Sequence, residues 1–211
     1  MGTDMLRQDD TSISVNKDEG ELTLRLGEIV LSGQCYVELQ SREGRTRRVR
    51  GQKAETIDQR LVSEAHGAGE RITARYVPAE DGLALLFEAS VYEQRRFVAL
   101  RVAIENRSDL TFRALVLSPL ATVQMRFGSG PLDGWANGFH SWAFTGFVPH
   151  AQRQPRPALG LLLTPQSRNP TTEQPRAPGQ YAGEEIGILL DEANQALVAG
   201  FIGVADQFGQ V

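Results

Sequence analysis

Apolar and polar residues alternate with a period of two along most of this chain. Leu22, Leu24 and Leu26 alternate with Thr23 and Arg25, and past Gly27 the apolar phase moves to Ile29 and Leu31. A phase change at a glycine predicts a β-bulge or a bend. Ile72, Ala74 and Tyr76 form a second stripe, and Leu83, Leu85, Phe87, Ala89 and Val91 a third. Val98, Leu100, Val102 and Ile104 follow, then Val123, Met125 and Phe127. Such stripes put one face of each strand on a core and the other in water. Gln52–Ala65 is ambiguous: Ile57, Leu61 and Val62 have some helical spacing, and a loop or strand fits nearly as well. The connectors at Pro78–Gly82, Asn106–Asp109 and Asp191–Asn194 carry turn residues, which preset or tolerate the required backbone angles. Many strands at short spacing predict an all-β fold, a large antiparallel β-sandwich formed by residues 1–211 as a single domain.

One stretch departs from this rhythm. Residues 149–178 hold seven of the ten prolines, with Glu173 as the single acid among Arg153, Arg156, Arg168 and Arg176. It reads as a long surface excursion at about 149–179 that interrupts the sandwich, a place where loops often carry function or dock on a neighbour.

Composition narrows the function. The chain has 211 residues, 41% hydrophobic and 23% charged, the make-up of a globular protein. No apolar run approaches the ~20 residues of a membrane span, and no apolar stretch follows the first charges as in a signal peptide. The expectation is a cytoplasmic protein without a membrane partner. The net charge is −4, which argues against a nucleic-acid partner; Arg45–Arg50 is basic but lacks interleaved aromatics and reads as a solvated hairpin. Cys35, the single cysteine, falls on an apolar stripe with Val37 and Leu39 and is expected to be a buried structural thiol. His66, His140 and His150 lack metal-ligand spacing, and neither a nucleotide loop nor a nucleophile elbow is present, so neither metal nor cofactor is expected.

The densest chemistry lies in Gly134–Phe147, which contains both tryptophans and five of the fifteen aromatic residues, punctuated by glycines. Aromatic faces stack on the C–H face of a sugar while Asn, His and Ser satisfy its hydroxyls; the same rings would equally close the end of a sandwich. Within it, Asn137-Gly-Phe-His-Ser-Trp-Ala143 resembles the Asn-Gly-aromatic-Gln-Ser-Trp-Ser signature of the N-terminal domain of family 36 glycoside hydrolases, the α-galactosidase (melibiase) and raffinose-synthase-like proteins. Val102–Leu120 and Leu197–Gly209 resemble two further stretches of that domain. His140 and Ala143 depart from the signature, where glutamine and serine are usual.

The resemblance implies a β-supersandwich of the galactose-mutarotase type, placed before a (β/α)8 barrel that carries the catalytic aspartates of retaining hydrolysis. Such a barrel needs about 250 residues and is absent from this sequence. The chain is therefore expected to be a non-catalytic accessory domain. Its partners would be the downstream barrel of the same or a companion chain, an α-galactoside-type sugar and, in an oligomer, a second copy of itself. The structured-looking sequence up to Val211 fits that expectation. Trp142 and Phe139 match the aromatic positions of the signature. With His140, Trp135 and Asn137 they are the expected sugar-binding residues, and no catalytic residue is expected in the chain. Two rival readings are a free-standing carbohydrate-binding module and a mutarotase-like sugar epimerase, for which His140 is the candidate base.

Overall fold

The computed structural model describes residues 2–79, 82–128, 130–137, 145–155, 177–181, 186–193 and 195–200. The chain divides into two compact units, 1–127 and 128–211. Among the described residues all regular structure is β, in three antiparallel sheets, none of them closed.

In the first unit β1 (Thr3–Gln8), β2 (Thr11–Asn16), β3 (Leu22–Leu26), β4 (Ile29–Ser41), β5 (Thr46–Arg50) and β10 (Phe112–Arg126) form one sheet. Its order is β1-β2-β3-β4-β10, with β5 also paired to β4. The second sheet takes β6 (Ala54–Glu64), β7 (Gly67–Tyr76), β8 (Leu83–Tyr92) and β9 (Val98–Asn106) in chain order. Their inner faces feed one hydrophobic cluster. Leu6, Ile13, Val15, Leu22, Cys35, Val37 and Leu39 from the first sheet join Ile72, Ala74, Tyr76, Leu85, Phe87, Ala89 and Val91 from the second. Two sheets sharing a core in this way make a sandwich-like arrangement.

The stripes of period two are strands, with two differences from the sequence reading and one open choice, at Gln52–Ala65, resolved as a strand. The phase change at Gly27 is a hairpin rather than a bulge: Leu26 pairs with Ile29, and Gly27 sits in the turn at φ +60°, a conformation that costs glycine little. Gln52–Ala65 contains strand β6, and Leu61 is 82% exposed, so its helical spacing marks no buried stripe. In β10, Val123 and Met125 are exposed, while Phe127 just beyond the strand is buried. This strand slips register three times against β4, once around Pro119, which has no N–H to give to a ladder.

The turn chemistry works as expected. Asn106 Oδ1 accepts the Ser108 N–H at 3.0 Å, and Asp191 Oδ1 accepts the N–H groups of Ala193 and Gln195 at 3.0 and 2.8 Å. The Arg45–Arg50 segment includes β5, where Arg48 Nε donates to Glu38 at 2.8 Å and its guanidinium lies 4.2 Å from the centre of the Tyr36 ring.

Cys35 is fully buried between Tyr76 and Gly51, and burial pushes its thiol up to about 11. It should ignore a thiol reagent at pH 8 in the native protein and react at the rate of unfolding when denaturant is added. Phe87 is also fully buried, so Phe87→Ala should cost about 3–5 kcal/mol in chemical denaturation, whereas exposed Leu61→Ala should stay within about 0.5 kcal/mol.

Candidate functional site

The second unit contains β11 (Asp133–Ala136), β12 (Gly146–Val148), β13 (Ile186–Leu190) and β14 (Ala196–Gly200), in the sheet order β12-β11-β13-β14. Its two faces differ. On one, Gly134, Ala136 and Val148 are buried. The Tyr181 ring lies so close to Gly134 that a Cβ there would come within 2.3 Å of it. The Tyr181 hydroxyl donates to the Leu132 carbonyl at 2.6 Å, which fixes the ring.

The other face carries the candidate site. Pairing puts Phe147 opposite Trp135, Trp135 opposite Ile188, and Ile188 opposite Val198, so four large apolar side chains form one row across the sheet. Phe147 is 49% and Val198 59% exposed. Polar pairs flank this row along β11, because residues two apart share a face. On one side, Thr145 Oγ1 donates to Asn137 Oδ1 at 3.5 Å. On the other, the His150 N–H donates to Asp133 Oδ1 at 2.7 Å, and His150 Nδ1 lies 3.0 Å from the same oxygen. The His150 backbone N–H, and next its imidazole, hold the Asp133 carboxyl below the usual range. From Asp133 to Asn137 the strip runs about 13 Å.

Of the expected site residues, Trp135 stands on this face, and Asn137 lies one residue past the end of β11, bonded to Thr145. Phe139, His140 and Trp142 lie outside the described residues, as do 156–176, most of the proline-rich excursion. The strands on either side of residues 138–144 are paired, Ala136 with Gly146, so the signature segment connects the two arms of a hairpin. The Asp133–His150 pair was missed by the sequence reading. Its partners are 17 positions apart and meet only through the β11–β12 register. The one usable signal was Trp135–Phe147, since pairing of those aromatics sets position 133 opposite 149, next to His150. Among the described residues no group of three or more His, Cys, Asp or Glu is placed to hold a metal ion.

The first unit has a polar cluster of its own. Tyr92 Oη donates to Glu64 Oε2 at 2.7 Å, and Arg71 NH2 to Glu64 Oε1 at 2.5 Å. His66 stands edge-on to both Tyr92 and Phe97. The phenol, then the guanidinium, keep the Glu64 carboxyl low, so the cluster persists as a charged hydrogen-bonded group.

No family model matches the chain, and neither the curated proteins nor the solved structures give a match. It is an all-β protein of antiparallel sheets.

Two outcomes test this geometry. Gly134→Ala should destabilise the second unit by about 1–3 kcal/mol, because the tethered Tyr181 ring has to move, and Tyr181→Ala in the same chain should recover part of the loss; thermal unfolding of the single and double variants checks it. For Asp133 the folded-state pKa is depressed. Its contribution is therefore present above the unfolded value near 3.9 and is lost as pH falls through the folded value. Tryptophan fluorescence should show the second unit weakening below about pH 4, and less so in Asp133→Asn.

Proposed function

We propose that the chain is a non-catalytic accessory domain, of supersandwich type, of an α-galactosidase-like glycoside hydrolase. In this reading it packs on a (β/α)8 barrel of the same or a companion chain, in the cytoplasm, and helps shape the pocket for an α-galactoside. The observation that carries the reading is one face of the second unit's sheet, which offers Trp135 and Phe147 between two hydrogen-bonding pairs. An aromatic surface between polar groups suits a pyranose, whose C–H face is apolar and whose rim is hydroxylated. The antiparallel sheets and the shared core of the first unit are compatible with a supersandwich. The acid and nucleophile of retaining hydrolysis then belong to the barrel, and this chain contributes binding and orientation.

A second reading, a free-standing carbohydrate-binding domain, draws on the exposure of Phe147, which leaves that face accessible on the chain by itself.

The purified chain should release no product from an aryl α-galactoside. Turnover that disappears on replacing one carboxylate would overturn the accessory reading. Calorimetry with an α-galactoside oligosaccharide separates the two readings. Saturable binding by the chain alone, weakened about tenfold in Trp135→Ala, supports the free-standing module. A flat titration removes that module and leaves the sugar contact dependent on the barrel.

A further inference from the structure

The solvent face of the first sheet separates charge in a way that the chain as a whole does not. On β2, β3 and β4 the positions facing away from the core alternate with buried ones, and strand pairing carries that outward face onto β1, β5 and β10. The outward positions include Arg7, Arg25, Arg48, Arg50, Arg113 and Arg126, all exposed, against a single carboxylate, Glu38, which Arg48 already engages. This occurs in a chain of net charge −4.

Three of these arginines fall in one cross-strand row. Arg7 pairs with Ser12, Ser12 with Arg25, Arg25 with Val30, and Val30 with Arg126. They occupy alternate strands, so their backbones stand about 10 Å apart. Among the described residues none of the three forms an ion pair. Arg7 Nε donates only to the Asp9 carbonyl, at 3.4 Å. Of the carboxylates nearest in sequence to Arg7 and Arg25, Asp9, Asp10 and Glu28 sit in or beside the turns at the ends of these strands, and Asp4 has the inward phase of Leu6; among the described residues none of them makes an ion pair with the row. The next row along the strands is uncharged: Ser14 pairs with Thr23, Thr23 with Ser32, and Ser32 with Gln124. Thr23 and Ser32 share a 3.2 Å hydrogen bond.

We propose that this face binds an acidic polysaccharide, laid across β1, β3 and β10 with its anionic groups on Arg7, Arg25 and Arg126 and its hydroxyls on the Ser14–Gln124 row. Guanidinium groups at ~10 Å intervals suit a polymer that carries one charge every sugar or two. A nucleic acid presents a far denser line of phosphates and calls for aromatic platforms to stack its bases. The aromatic residue at the outward positions of these strands, Tyr36, already lies under Arg48. The hydroxyls and amides of the neutral row match sugar hydroxyls as donors and acceptors. This inference concerns the first unit and does not depend on the α-galactoside reading.

The test is binding of heparin and polygalacturonate to the full chain at low salt. A protein of net charge −4 has no general reason to bind either. At least one should bind, with affinity falling steeply as salt rises, and Arg25→Gln/Arg126→Gln should weaken it by about tenfold or more and flatten the salt dependence. Arg95→Gln, in the loop after β8, should leave binding unchanged, and both variants should unfold cooperatively as the parent does. The proposal is overturned if neither polyanion binds, if Arg95→Gln loses as much as the double variant, or if an oligothymidylate binds as tightly as the polysaccharides.

Discussion

Thirteen residues of alternation in β4 set the first unit in order. Leu31, Cys35, Val37 and Leu39 point one way into the core, with Gly33 in the same phase; Ser32, Gln34, Tyr36, Glu38 and Gln40 point the other way. The strand pairs with β3 along its first half, with β5 along its second, and with β10 along its whole length. A slip of one residue in the β3 or β5 ladder would turn a core face into a solvent face. The burial of the apolar set therefore fixes the register of those two neighbours, while β10 follows β4 through three irregularities. Tyr76 from the opposing sheet reaches the same place, beside Cys35 and Gly51, with no room for a Cβ at position 51.

Much of this fold can be read in the sequence, because alternation reports burial directly. The stripes at Ile72–Tyr76, Leu83–Val91 and Val98–Ile104 are three adjacent strands of one sheet. What alternation cannot report is pairing. Leu22–Leu31 looks like one strand with a kink and is two strands with a turn, since a hairpin and a bulge both reverse the apolar phase. β10 carries an apolar stripe to its end, yet Val123 and Met125 reach solvent, because a stripe records a face and not whether another layer lies over it. Leu61 is the same case in β6.

The candidate site was legible in kind more than in membership. Clustered aromatics between glycines pointed to Gly134–Phe147, where Trp135 pairs with Phe147 and Asn137, just past β11, is bonded to Thr145. His150 was set aside because it has no metal-ligand spacing to an acid or another histidine; the β11–β12 pairing brings it to Asp133. Gly134 explains why the tryptophan can be displayed at all. A glycine on the inner face lets the Tyr181 ring lie flat against the backbone, and packing on that side leaves Trp135 to the other.

The row Phe147–Trp135–Ile188–Val198 has an evolutionary reading. Backbone pairing across β12, β11, β13 and β14 holds it, and that pairing draws on none of the four side chains. Each can be exchanged for another large side chain without loss of the ladder that presents it. What this face offers to a neighbour can therefore drift faster than the sheet beneath it.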